Sequence, residues 1–420
     1  MSISRIKTLA VVLAVAAAAN AQFHTPSNAR TAALQNAPLS DIRDIYAYPV
    51  LLMGYTNQAQ VTWDAENGGS GLGTILLTKS FGDMFALGIV ANQGTLLQEA
   101  GPVISGAFGA LPNVPHILLG FDLGTLKIGA DLFVEYASDN YNSEVYPRTE
   151  KRYNRTMNIG TRLSADIAFG DLGLLAKIGV GLPSVHRETS ISDPIEGINT
   201  KDESNLRKSL YFESGAEVSY PLSTVDLTGG IEYTFANYQT GYTDGANITP
   251  EYWHSLFRFY LNGELNIFET AAAVVSYELS RVASTTTTTT PVDVTPEVRS
   301  KATNGELLNT FYIGVENTWD KAWKFDSFTL RSGANYEIAW DFSNSSNSFN
   351  SNKTHTGGPA GHSYVKPVIG AGVSKGPLTI DAALNFARLF EDQDESPFYN
   401  EWRGPLTSPT FAVATATIKF

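Results

Sequence analysis

Met157–Phe169 reads MNIGTRLSADIAF, and the alternation along it decides the fold. One parity carries Met157, Ile159, Thr161, Leu163, Ala165, Ile167 and Phe169. The other carries Asn158, Gly160, Arg162, Ser164, Asp166 and Ala168. Successive side chains on a strand point to opposite faces, so this segment is a strand with one apolar face and one polar or small face. Phe257–Asn266 repeats the pattern, setting Phe257, Phe259, Leu261 and Leu265 against Arg258, Tyr260, Asn262, Glu264 and Asn266. Thr329–Asp341 does so again, with Leu330, Ala334, Tyr336, Ile338 and Trp340 opposite Arg331, Gly333, Asn335, Glu337 and Asp341. Alternating runs of about 10 to 14 residues exceed the usual soluble strand of about 5 or 6 and suit a strand crossing a bilayer at a tilt. The expected fold class is all-β, a transmembrane antiparallel β-barrel.

Composition agrees with that class. The 420 residues are 43% hydrophobic and 11% aromatic but only 17% charged, which excludes a disordered chain. There is no cysteine, so disulfide scaffolds, thiolate metal sites and cysteine nucleophiles are excluded. A formal net charge of -13 argues against nucleic acid as a partner.

The N-terminus has the pattern of an export signal. Arg5 and Lys7 precede an apolar run from Leu9 to Ala19, and Ala19-Asn20-Ala21 supplies small residues for cleavage. Residues 1–21 are therefore expected to be a signal peptide, and removing Arg5 and Lys7 takes the formal charge from -13 to -15. No later apolar run approaches the length of a membrane-spanning helix, so an exported membrane protein of this sequence must be a closed barrel. The expected location is the outer membrane of a Gram-negative-type bacterium, with outer-membrane lipid as a partner.

Turn signals set the strand count. Short turns are expected near Phe81-Gly82-Asp83, Leu123-Gly124-Thr125, Gly170-Asp171, Pro221-Leu222-Ser223, Ile267-Phe268 and Lys375-Gly376-Pro377. Long loops are expected near 94–115, 141–155, 188–208, 240–252, 284–304, 343–361 and 392–407, the Thr285–Thr290 run being a solvated spacer in one of them. Short periplasmic turns and long outer loops are the asymmetry of outer-membrane barrels. This division predicts about 16 strands, with 14 as the alternative count, over residues 55–420, the barrel domain. The last strand alternates to a terminal aromatic on the lipid-facing parity, and Phe420 is the expected recognition point for the barrel-assembly machinery.

Parity also assigns the lumen. Acidic lumen-lining candidates are Asp131, Glu135, Asp166, Glu213, Glu217, Glu232, Glu264, Glu278, Glu316, Glu337 and Asp381. Basic ones are Arg162, Lys177, Arg258, Arg331 and Lys366. Such groups either pair between neighbouring strands to stiffen the wall or bias the pore towards cations. Tyr136, Phe169, Tyr220, Tyr233, Phe235, Tyr277, Trp319, Trp340 and Phe420 fall outward, as interfacial girdles would. Arg281 and Arg388 also fall outward, near strand ends, where their side chains would snorkel.

The chain shows no pattern for enzymatic chemistry. Its six histidines lie beside no nucleophile motif, and no GxSxG, HExxH, P-loop or EF-hand pattern occurs. His355 and His362 share a glycine-rich loop but lack a third ligand. No catalytic residue, metal or cofactor is expected.

Residues 22–54 precede the first strand. Ser40 could cap a short helix through Ile45. Within this stretch Ala29-Arg30, Asn36-Ala37 and Asp41 resemble the start of the outer-membrane family that holds the long-chain fatty-acid transporters and the type IX secretion barrel. Gln35 stands where that family has glycine, and Tyr48-Pro49-Val50 where it has Asn-Pro-Ala. The resemblance implies a segment folded into the barrel as a hatch, and it carries no substrate residue over. A lumen this wide also needs filling by more than wall side chains. The expected function is an outer-membrane channel or transporter for passive uptake of small molecules, hydrophobic ones being what the resemblance implies. The alternative is a structural or adhesive, secretion-associated barrel acting through its outer loops.

Overall fold

The computed structural model describes residues 45, 48–66, 69–91, 116–145, 148–193, 195, 198–242, 249–268, 270–290, 298–347, 353–385 and 412–420. Sixteen strands make up almost all of it. They are β1 (Gln58–Glu66), β2 (Gly69–Phe81), β3 (Phe85–Ala91), β4 (His116–Asp122), β5 (Leu126–Val145), β6 (Arg148–Phe169), β7 (Leu172–Asp193) and β8 (Ile198–Leu222). There follow β9 (Val225–Tyr242), β10 (Thr249–Phe268), β11 (Ala271–Thr290), β12 (Val298–Asp320), β13 (Ser327–Asn347), β14 (Lys353–Lys375), β15 (Leu378–Asn385) and β16 (Ala412–Lys419). Each pairs antiparallel with its neighbour in sequence, and β1 pairs with β16 from Gln58↔Lys419 to Ala65↔Ala412, so the barrel is closed. Closure leaves no edge strand with unpaired backbone groups, the condition for crossing hydrocarbon.

Burial is inverted relative to a soluble protein. On β6, Arg162 and Ser164 are 1% and 4% exposed, whereas Ile159 and Leu163 are 46% and 48% exposed. The same inversion runs round the wall, with Val134, Ile178, Leu261, Ile313 and Ile380 outside and Asp131, Glu213, Asn262, Thr310 and Thr415 inside. A continuous exposed apolar face of this kind is the lipid-facing surface of a membrane barrel. One polar pair on that face is satisfied locally: the Tyr277 hydroxyl donates to Asn309 Oδ1 at 2.9 Å.

Two aromatic levels bound the apolar band. Phe81, Phe85, Phe121, Phe169, Tyr220, Trp319, Phe328 and Phe420 gather at the end with the short turns, and the rings of Phe85 and Phe121 lie 5.2 Å apart. Higher up, Tyr233, Trp253 and Trp340 are 40–47% exposed on the same outer face. Several of the short turns hold glycine in the left-handed region, Gly82 at φ 72° and Gly124 at φ 93° among them, a conformation glycine adopts without strain.

The long connections depart from the sequence reading. Residues 141–145 and 148–155 are not loop but the ends of β5 and β6, paired as far as Val145↔Arg148. Residues 188–193 and 198–208, 249–252, 284–290 and 298–304, and 343–347 and 353–361 are likewise strand. The strands β5 to β14 therefore run 18 to 25 residues, well past the 10 to 14 expected, because pairing continues above the lipid-facing stripe. Thr285–Thr290 is not a spacer. It forms the end of β11, opposite Thr303 to Val298 of β12, with the Thr285 and Thr303 hydroxyls 2.9 Å apart. Threonine is β-branched and favours strand once a partner is in register. The loops expected at 94–115 and 392–407, the helix expected from Ser40 through Ile45 except for Ile45 itself, and Arg388 lie outside the described residues.

The 3-10 helix Pro49–Gly54 lies inside the barrel. Leu52, together with Ile45, packs on Leu76, Ala86, Val90 and Leu118 of β2 to β4. Val50 lies so close to β5 that a Cβ at Gly129 would fall 2.0 Å from the Val50 nitrogen. Only glycine permits that approach.

Candidate functional site

Among the described residues, the inner wall and the residues lodged in it form an extended polar site. Register places the ionisable groups side by side. Asp131 of β5 faces Arg162 of β6, Gly179 of β7 lies between Arg162 and Glu213 of β8, and Glu232 of β9 faces Arg258 of β10. Because these groups stand one or two strands apart, charges of opposite sign meet across the sheet.

A belt of ion pairs results. His116 Nδ1 of β4 lies 3.2 Å from Asp131 Oδ2, and Arg162 Nη1 lies 3.6 Å from the same oxygen. The Arg162 guanidinium also binds Glu213 directly. Lys177 Nζ is 4.0 Å from Glu213 and 2.9 Å from Glu232. Arg258 bridges Glu232 at 3.3 Å and Glu278 at 2.9 Å. The chain of contacts ends at Tyr312, whose hydroxyl donates to Glu278 Oε2 at 3.3 Å. A second, shorter group joins Arg331 to Glu316 and Asp381, each at 2.5 Å. Charged hydrogen bonds in a shielded wall are strong, and removing one partner strands the other.

Glycines seat these side chains. A Cβ at Gly179 would fall 2.4 Å from Glu213 Oε1, and one at Gly372 would fall 2.2 Å from Asp381 Oδ1. Tyr260 lies across Gly230 and donates to Glu217 at 2.6 Å.

The remaining acidic candidates sit apart from the belt. Glu337 is buried on β13 opposite Thr310. Asp166 stands opposite Lys127, and Glu264 opposite Asp226, towards the end with the short turns. Glu135 and Lys366 lie on described strands, but their side chains are outside the described residues. Among the described residues, no group of three or more His, Asp or Glu is placed to hold a metal ion.

The lodged segment touches this belt at two points. The Val50 amide donates to Ser164 Oγ at 2.8 Å. The Tyr48 hydroxyl donates to Glu232 Oε1 at 3.2 Å, and Lys177 Nζ lies 4.8 Å from the centre of the Tyr48 ring. Burial, and then the nearby Glu232 and Glu217 carboxylates, push the Tyr48 phenol far above its ordinary value, so it remains a donor. All of these links are non-covalent.

Sequence reasoning missed His116, Tyr48, Tyr260 and Tyr312. Parity alone would have turned His116 inward with Leu118 and Gly120, once β4 was placed. The two tyrosines of the wall share parity with Arg258 and Glu316, and the alternation in Phe257–Asn266 already sets Tyr260 on the polar face, though neither is among the charged lumen candidates.

No family model matches the chain, and no curated protein matches it. Among solved structures, it is similar to the toluene transporter TbuX of Ralstonia pickettii at 10% identity, covering 94% of this chain and 98% of that one, with a TM-score of 0.40. It is similar to the toluene transporter TodX of Pseudomonas putida at 10% identity, covering 95% and 100%, with a TM-score of 0.36. The translocator domain of the autotransporter NalP from Neisseria meningitidis aligns at 13% identity over 71% and 90%, with a TM-score of 0.29. The fold rests on the closed strand order and the register above, not on these likenesses.

Proposed function

We propose that this chain is an outer-membrane channel for passive passage of small molecules, with apolar solutes as the favoured class, and that residues 22–54 act as its hatch. One observation carries the reading: Tyr48 and Pro49–Gly54 lie inside a closed barrel of sixteen strands, joined to β1 by residues 55–57 and otherwise held by packing and single hydrogen bonds. A barrel of this strand number has room for an aqueous passage. A segment that lies in it, tethered to β1 through residues 55–57 and otherwise held non-covalently, blocks passage in one arrangement and permits it in another. The apolar bed formed by Leu76, Val90 and Leu118 would suit apolar solutes once vacated.

Single-channel recording on the purified chain tests this, with and without residues 22–54. Removal is expected to raise conductance several-fold while the barrel keeps its heat-resistant gel mobility. Absence of conductance and of solute uptake in both forms would sink the proposal.

A second reading has one observation in its favour. The hairpins of β11–β12 and β13–β14 stay paired past the apolar band, presenting stiff surfaces rich in threonine, serine and asparagine. An adhesive or secretion-associated barrel would use them. Shortening β11–β12 by residues 285–303 should then abolish partner capture and leave conductance unchanged.

A further inference from the structure

The lipid-facing wall holds a charge that the apolar band does not explain. On β10 to β13, between the level of Trp319 and Phe328 and the level of Trp340, Arg281 is the sole charged side chain turned outward among the described residues. Its register neighbours are Phe257 on β10 and Leu307 on β12, and Leu307 in turn stands opposite Trp340 on β13. Arg281 is exposed and pairs with no carboxylate among the described residues. Its guanidinium instead lies 5.3 Å from the centre of the Phe342 ring. That ring reaches it because it crosses Gly305, where a Cβ would fall 2.3 Å from Phe342 Cζ.

The side chain thus points up the wall, away from the short turns, to the level of Trp253 and Trp340. That level is where lipid headgroups meet the acyl region. A guanidinium on a lipid-facing wall, with no carboxylate partner among the described residues, is drawn to the interface, to water or to an anion there. Lipid phosphate is the anion at this depth, and its oxygens match the guanidinium fork. Phe257, Leu307 and Trp340 around it would contact acyl chain, which free phosphate lacks.

We propose that Arg281, backed by Phe342 and Trp340, binds the phosphate of a membrane lipid in the leaflet away from the short turns. The proposal depends on the barrel alone and stands whether or not the lumen conducts.

Native mass spectrometry of the full chain in detergent, titrated with phosphatidic acid and with diacylglycerol of the same acyl chains, tests it. Wild type should bind phosphatidic acid about tenfold tighter than diacylglycerol, and Arg281→Gln should lose about that factor for phosphatidic acid alone. Phe342→Leu keeps the charge and should weaken binding about two- to threefold, which covers the case in which Arg281→Gln does not fold. Lys79→Gln, near Phe420 at the opposite aromatic level, should bind like wild type. Equal affinity for the two lipids overturns the proposal, as does undiminished binding by both Arg281→Gln and Phe342→Leu. An equal loss in Lys79→Gln would mean diffuse attraction, and full displacement of the lipid by millimolar inorganic phosphate would mean a bare phosphate site. Either result rejects it.

Discussion

The two sides of the inner wall hold their contents by different physics. On β2 to β4, Leu76, Val90 and Leu118 meet Leu52 and Ile45 through apolar contact. On β5 to β11, Asp131, Arg162, Glu213, Lys177, Glu232, Arg258 and Glu278 meet one another through charge. Apolar contact has no preferred direction and can be surrendered and regained piecemeal. A buried ion pair has a required partner, and its loss leaves a charge stranded. The charged side is therefore wall, and the apolar side is a berth. The lodged segment is held mainly by the second and touches the first through the hydrogen bonds of Val50 and Tyr48 and a small apolar contact with Leu175 of β7.

Substitutions break this contrast in graded ways. The largest effect is expected for Arg162→Met, which strands Asp131 and Glu213 inside the wall. It should cost about 3 to 5 kcal/mol, seen as a lower urea midpoint for unfolding of the barrel. Leu118→Ala should cost about 2 to 3 kcal/mol of packing. Its signature is different: greater protease access to residues 22–54, with the ion-pair belt intact. Ser164→Ala removes the acceptor of the Val50 amide and should release the segment by about 1 kcal/mol, roughly a fivefold rise in the fraction of time spent conducting. Tyr48→Phe removes one hydroxyl from Glu232 but leaves the ring over Lys177, so its effect on the same recording should be smaller, about 0.5 kcal/mol. Should Tyr48→Phe exceed Leu118→Ala, the segment would be held by the charged side, and the contrast would reverse.

Much of this was legible in one dimension. The alternation in Met157–Phe169 places Arg162 and Ser164 inside and Leu163 outside, and the same parity, carried across hairpins, yields the sixteen strands. Parity also turned Arg258 and Glu278 inward. Which acid each base would take was not legible. Arg162 binds Glu213, 51 positions away, because Gly179 on the intervening strand leaves room, and no local pattern encodes that reach. The upper limits of the strands were illegible for a related reason. Outside lipid the alternation of apolar and polar residues lapses, while hydrogen bonding between strands does not. Thr285–Thr290 therefore looked like a spacer although it is paired along its whole length.

That continued pairing sets a distance. From Arg281, at the upper edge of the apolar band, β11 runs on to Thr290. Nine further residues on a tilted strand rise about 20 to 25 Å. On β5 to β14 the wall is thus carried clear of the lipid surface as a paired collar, as a chimney stands above its roof. Between that height and the charged belt, the inner face of β10 to β13 is a polar shaft lined by Tyr252, His254, Ser284, Asn304 and Ser343.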